Sequence, residues 1–211
     1  MRDPAPAATW PPPQPAVLIG VLALQGGFAA HGRKLRALGA DVRDVRVPAD
    51  LERLDGLVIP GGESTTMTLG IARENLAEPL RTLVAGGMPV LGTCAGMIML
   101  DRSHLGLMDI DCRRNAFGRQ VRSFEENLDV VGLDGPPLRA VFIRSPWVES
   151  YGDGVQILAE LEGHPVAARQ GPLLAVAFHP ELGQDTRLHE AFLRGVAQAG
   201  AATADVFPLR R

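Results

Sequence analysis

Residues Pro89-Val90-Leu91-Gly92-Thr93-Cys94-Ala95-Gly96-Met97-Ile98-Met99-Leu100 read as a short buried strand, a turn of small residues and an apolar helix. Gly92 and Gly96 stand two residues either side of Cys94. This is the G-x-S-x-G spacing of a nucleophile elbow, with sulfur in place of oxygen. A strand-to-helix turn that sharp needs neighbours without bulk, and it lifts the central side chain above the end of a sheet. The following helix aims free N–H groups and its positive dipole end at the sulfur, which favours a nucleophilic thiolate. Cys94 therefore reads as a nucleophile rather than as a small core residue. Such an elbow needs a parallel sheet around it, so the rest of the chain must supply flanking strands and a base.

The segment before the elbow supplies the strands. Ala16 to Leu24 is a nearly unbroken apolar run, as in a strand buried on both faces, and it ends in the turn Gln25-Gly26-Gly27. Phe28, Leu35 and Leu38 then recur at helical spacing up to a stop at Gly39. Asp41 to Val47 alternates as a second strand, and Gly56 to Pro60 forms a third. The expectation is an open, doubly wound, mostly parallel α/β sheet flanked by helices, with its site at the carboxyl ends of the strands. The loop Gly61-Gly62-Glu63-Ser64-Thr65-Thr66 falls at that edge. Its glycines free backbone N–H groups to converge on an anionic oxygen, and Ser64, Thr65 or Thr66 is expected to cap the next helix. A phosphate loop is excluded, because the pattern lacks its lysine and Glu63 would repel phosphate. An acid in a donor-rich loop suits a cationic amino group instead.

Beyond the elbow helix, short antiparallel strand candidates fall at 107–113, 128–133, 140–144, 155–161 and 165–168, separated by Gly, Pro and Asp turns. Arginines cluster in Arg113-Arg114-Asn115-Ala116-Phe117-Gly118-Arg119-Gln120 and at Arg144, where they are able to hold a carboxylate bidentately. The last core strand, Leu173 to Phe178, runs into His179-Pro180-Glu181. A histidine at the end of a buried strand sits at the same edge as the elbow, with an acid two residues on to fix its tautomer. The other histidines, His31, His104, His164 and His189, lack that setting and read as structural. Leu188, Phe192 and Val196 mark a closing helix over 185–199.

Charge and composition exclude several classes. The net charge is −3, with two Trp and one Tyr, which offers neither a nucleic-acid footprint nor a base-stacking platform. Two cysteines, Cys94 and Cys112, make no disulfide framework; with no secretory signal and no long apolar run, a cytoplasmic protein off the membrane is expected. No pattern of zinc ligands is present, so neither metal nor cofactor is expected. Residues 1–15 are a proline-rich leader read as extended and disordered, 16–199 form one domain, and 200–211 read as a loose tail.

Gly61-Gly62-Glu63-Ser64, Gly92-Thr93-Cys94-Ala95-Gly96 and His179-Pro180-Glu181 together resemble the class I, triad glutamine amidotransferases. The stretches 20–26, 60–66 and 114–120, with Phe142-Ile143-Arg144, narrow that resemblance to the glutaminase subunits of pyridoxal 5′-phosphate synthase; it covers roughly residues 17–197. The resemblance implies the class I amidotransferase (flavodoxin-like) fold over 16–199. It implies that Cys94, His179 and Glu181 form a triad that splits L-glutamine through a thioester. Gly61, Gly62, Glu63, Arg114, Ile143 and Arg144 would hold the glutamine, with the N–H groups of Gly62 and Ala95 as the oxyanion hole. The ammonia would pass to a barrel-shaped synthase subunit in a large hetero-oligomer, with Gln25 and Gly26 at that interface. In this family the glutaminase is nearly idle until its partner docks.

The chain departs from the family pattern at 101–106, where the family carries a longer segment, and at Ala30, Ser145, Gly183 and Cys112, the last read as core packing. A regulatory relative that has lost catalysis, or another cysteine hydrolase on the same fold, stays open on these residues.

Overall fold

A computed structural model describes residues 17–117 and 123–206. The leader 1–15, Gly118, Arg119 and Gln120 of the arginine-rich stretch, and residues 207–211 lie outside the described residues.

The apolar runs form the strands expected of them. β1 (Leu18–Leu22), β2 (Asp41–Val45), β3 (Gly56–Ile59) and β4 (Val90–Thr93) alternate with α1 (Phe28–Ala37), α2 (Ser64–Arg73) and α3 (Ala77–Ala85), and α4 (Ala95–Leu100) follows the elbow. A 3-10 turn, Pro48–Leu51, leads into β3. β5 (Ile110–Arg113), β6 (Ser123–Leu128), β7 (Leu138–Ile143), β8 (Trp147–Tyr151), β9 (Gln156–Leu161), β10 (His164–Gln170) and β11 (Leu173–Val176) come next, and α5 (Arg187–Val206) closes the described chain.

Among the described residues the main sheet has seven strands in the order β2-β1-β3-β4-β11-β10-β9. β2, β1, β3, β4 and β11 run parallel, while β10 and β9 extend the sheet antiparallel. β5 pairs with β8 and β6 with β7 in two separate antiparallel ribbons. From β1 the chain goes first to one neighbour, β2, and then to the other, β3. That reversal opens a crevice at the carboxyl edge. Register keeps the edge level: Ile59 pairs with Gly92, and Thr93 with Val176. The loops after β1, β3, β4 and β11 therefore emerge side by side.

Three expectations are corrected. The strand expected at 128–133 lies earlier, at Ser123–Leu128, and pairs with β7 through mostly exposed polar residues that give little apolar pattern. β8 was not anticipated; its Glu149, Ser150 and Tyr151 face solvent. Residues 200–206 of the segment read as a loose tail belong to α5, which runs on through Gly200 to Val206. Alanines 199, 201, 202 and 204 outweigh the single glycine there, since Ala is the strongest helix former.

The elbow depends on how closely α4 approaches β3. A Cβ on Gly96 would run into the Ile59 carbonyl oxygen, and one on Gly92 would sit 2.8 Å from the Gly96 carbonyl oxygen. Cys94, between them, is held at φ 49°, ψ −109°, a conformation that costs a non-glycine residue about 1–3 kcal/mol. Its N–H donates to Val176 O at 2.8 Å, and its carbonyl accepts from the Met97 and Ile98 N–H groups, which offsets that strain. Gly96→Ala is expected to cost about 3 kcal/mol. Urea unfolding of the variant measures it, and a loss under about 1 kcal/mol would mean that α4 shifts freely.

Candidate active site

Cys94 stands at the start of α4 and His179 three residues past the end of β11. Both pack on Gly61, where an added Cβ would lie 2.5 Å from His179 Cε1 and 3.2 Å from Cys94 Cβ. Only glycine lets the loop after β3 lie this close to the thiol and the imidazole. His179 is fixed from behind: its N–H donates to Val141 O at 2.8 Å. Phe142, fully buried, stacks on Phe124 at 4.8 Å and meets Phe178 edge-on at 5.7 Å, tying the β6–β7 ribbon to the end of β11.

His179 Nδ1 lies 2.8 Å from Glu181 Oε1. A carboxylate only accepts, so a proton sits on Nδ1, and Nε2 is the nitrogen left to exchange a proton with sulfur. Burial works against a charged His179, but hydrogen bonds with Cys94 and Glu181 outweigh it and raise its pKa to about 10. Burial likewise pushes Glu181 up, yet hydrogen bonds from His179 and His31 hold it well below the usual carboxylate range. In this rotamer the Cys94 thiol points at Ile143 O, 3.8 Å away.

The cleft over these groups encloses about 360 Å³ and is lined by Gly26, Gly27, Gly61, Gly62, Glu63, Ser64, Cys94, Ile98, Arg114, Asn115, Ile143, Arg144, His179, Glu181 and Leu182. A larger cleft of about 570 Å³, beside Arg169 and Phe192, contains none of the expected site residues. Glu63, rather than one of the hydroxyl residues after it, caps α2: its carboxylate accepts from Thr65 N–H at 3.1 Å and Thr66 N–H at 2.7 Å. The Thr66 and Thr65 N–H groups, with the Thr66 hydroxyl, bring its pKa down to about 2. Glu63 thus stays anionic, and Arg114 Nη2 reaches its Oε1 at 3.3 Å. Ile143 and Arg144 close the opposite wall, Arg144 at φ 45° and the Ile143 N–H donating to Ser145 Oγ at 3.1 Å.

Gln25 packs over Gly62 and donates from Nε2 to Glu63 O at 2.8 Å. Gly26, exposed at the rim with φ 83°, has no room for a Cβ against the Gly61 carbonyl oxygen. Ala95, first in α4, carries an N–H without an intrahelical acceptor. The expected site residues thus line this cleft, except Gln25 and Ala95, which stand next to lining residues Gly62 and Cys94. The segment at 101–106 closes as a turn in which Asp101 Oδ1 accepts from the Ser103 and His104 N–H groups, and it does not line the cleft. Cys112 packs inward with its thiol pushed up by burial, as a core residue would.

Two residues read as structural lie directly behind the triad. His31 Nε2 is 3.2 Å from Glu181 Oε2, and His31 Nδ1 is 3.0 Å from His189 Nε2. The available signal was their position: each sits on the buried stripe of its helix, His31 between Phe28 and Leu35, His189 beside Leu188 and Phe192.

A thiol, an imidazole and a carboxylate in this order at the carboxyl edge of a parallel sheet are the machinery of thiol-dependent acyl transfer. The chain belongs to the SNO glutamine amidotransferase family, whose model matches residues 21–198. A relative from Parafrankia sp. (strain EAN1pec), named pyridoxal 5′-phosphate synthase subunit PdxT, is 55% identical over 184 residues, covering 83% of this chain and 91% of the relative. A crystal structure of a glutamine amidotransferase is 44% identical with a TM-score of 0.80, covering 85% of this chain and 98% of that one. A glutamine amidotransferase from Thermotoga maritima, 14% identical with a TM-score of 0.58 over 88% of this chain and 85% of its own, shares the fold.

The pKa directions give a stability signature. The folded-state pKa of His179 lies above the 6.5 of a free imidazole, so its contribution is complete below pH 6.5 and is lost as the pH rises toward about 10. Glu181, depressed, contributes above the ordinary carboxylate range and loses that contribution as acid takes the pH down through its folded value. The unfolding free-energy gap between wild type and His179→Gln is expected to shrink between pH 6.5 and about 10. A gap constant across that window would mean that packing alone holds the ring.

Proposed function

We propose that this chain hydrolyses L-glutamine to L-glutamate and ammonia, and that the ammonia goes to a synthase subunit that makes pyridoxal 5′-phosphate. The observation that carries this reading is the joining of the Cys94–His179–Glu181 line and the Glu63–Arg114 pair in one cleft, in a chain of this family.

The chemistry follows from the geometry. Cys94 Sγ attacks the side-chain amide carbon as its proton passes to His179 Nε2. The N–H groups of Gly62 and Ala95 take the oxyanion; one such donor is worth about 3 kcal/mol at the transition state. His179 returns the proton to the leaving nitrogen and ammonia departs. The same imidazole then activates water against the thioester, and glutamate leaves. Glu181 keeps the ring oriented and stabilises the imidazolium. Glu63 receives the substrate's α-ammonium, while Arg114 and Arg144 face its α-carboxylate and Gly61 and Ile143 shape the walls. Another cysteine hydrolase would have no use for that amino-acid clamp.

The working unit is the domain at 16–199, joined to its partner in a large hetero-oligomer through the Gln25 and Gly26 rim, with no nucleic acid and no membrane involved. Among the described residues no helix is long and apolar enough to cross a membrane. A cytoplasmic setting suits the two unpaired thiols, Cys94 and Cys112.

In the complex with its synthase subunit, Cys94→Ala is expected to abolish glutamine-dependent pyridoxal phosphate formation while synthesis from free ammonium continues. Loss of both would make the cysteine structural. Glu63→Gln is expected to raise KM for glutamine about tenfold with kcat much less changed, as loss of a charged ground-state contact does. Steady-state glutamate release measures it, and an unchanged KM would remove Glu63 from the substrate site.

A further inference from the structure

Behind the triad lies a buried polar cluster that the reaction does not use. His31 on α1, Thr93 at the end of β4 and His189 on α5 have no exposed surface. His31 Nε2 faces both Thr93 Oγ1, at 3.1 Å, and Glu181 Oε2, at 3.2 Å. Its other nitrogen meets His189 Nε2 at 3.0 Å, the two rings tilted at 50°.

Glu181 needs a partner here. Its Oε1 is taken by His179. Its Oε2 is buried and short of a full hydrogen bond, and His31 Nε2, which also faces the Thr93 hydroxyl, stands 3.2 Å from it. A carboxylate oxygen shut away from water is costly unless a donor faces it. Glu181 Oε2 only accepts, so it requires that nitrogen to carry its proton, while the Thr93 hydroxyl is able to take either role. His189 reaches Nδ1 from behind and sets the plane of the His31 ring. Burial, then the nearby His31 and Lys34, keep His189 neutral.

We propose that His31, oriented by His189, is a positioning residue of the glutaminase triad: its Nε2–H locks the Glu181 carboxylate so that Oε1 stays on His179. Without that lock the carboxylate is free to turn about its last torsion or to pick up a proton. Either change would weaken the imidazolium formed when Cys94 gives up its proton. The inference rests on the glutaminase reading above. It extends that reading from three residues to five, with the added pair reaching the site from α1 and α5.

The test compares wild type, His31→Leu and His31→Gln in the complex with the synthase subunit. Leucine keeps the bulk and removes both nitrogens; glutamine returns an N–H near the position of Nε2. For His31→Leu, kcat is expected to fall about tenfold or more with KM within about twofold, the loss typical of groups that orient catalytic residues. His31→Gln is expected to recover most of that loss. A merely structural histidine would leave kcat at the wild-type value in the folded leucine variant, or would leave glutamine as impaired as leucine; either result overturns the proposal. Nitrogen-resolved NMR of the wild-type histidines reads the same point without any variant. A proton on His31 Nε2 is expected, and a bare Nε2 overturns the proposal even if the leucine variant does not fold. Glutamate release by the wild-type complex is scored separately: its absence would bring down the glutaminase reading itself.

Discussion

The close approach of α4 to the end of β3 is what the rest of the site depends on. Gly96 lies against the Ile59 carbonyl, and the chain can enter α4 from β4 only if Cys94 takes a backbone conformation that side chains resist. The strain is local, but its support is not. The Cys94 N–H is held by β11, the strand that leads into His179, so one hydrogen bond helps set the spacing of Cys94 and His179. Gly61 then brings the loop after β3 against both. Three neighbouring strands thus set the reacting groups with very little side-chain freedom left to lose, which is how a site becomes preorganised.

Electrostatics add a second layer. Two carboxylates face the cleft and are kept anionic by different means. Glu181 is buried and relies on imidazole donors, whereas Glu63 is open to solvent and relies on the N-terminal N–H groups of α2. The first lies against an imidazole whose charged form it favours. The second keeps a permanent negative charge at the solvent side of the cleft. Arg114 rests on Glu63 at 3.3 Å, so the two charges offset each other at the cleft.

The sheet was legible because its strands are apolar runs closed by glycine loops, and period and punctuation survive in a single sequence. The elbow and the His179-Pro180-Glu181 step were legible for the same reason: each is short and local. The β6–β7 ribbon was placed only in part, since residues 123–128 are largely solvated and have no apolar stripe to register them. The α2 cap was misassigned because three good capping residues follow Glu63, and the spare capacity of a carboxylate is invisible until the helix exists. His31 and His189 were missed because they meet across 158 residues, a distance no local pattern reports. On its own helix each is only a polar residue in a core position, an anomaly that gains meaning once α1 and α5 are seen to share Glu181.

The central place of β11 bears on how the chain must be made. β11 is the last strand in sequence, yet it sits between β4 and β10, inside the sheet. Until residues 173–176 arrive, β4 presents an unpaired edge directly beneath the elbow. An exposed parallel edge of this kind is slow to satisfy and open to mispairing with other chains. The chain therefore leaves the ribosome with Cys94 encoded early and His179 encoded late. The half-made protein thus carries an open seam beneath Cys94 until its last described strand is in place.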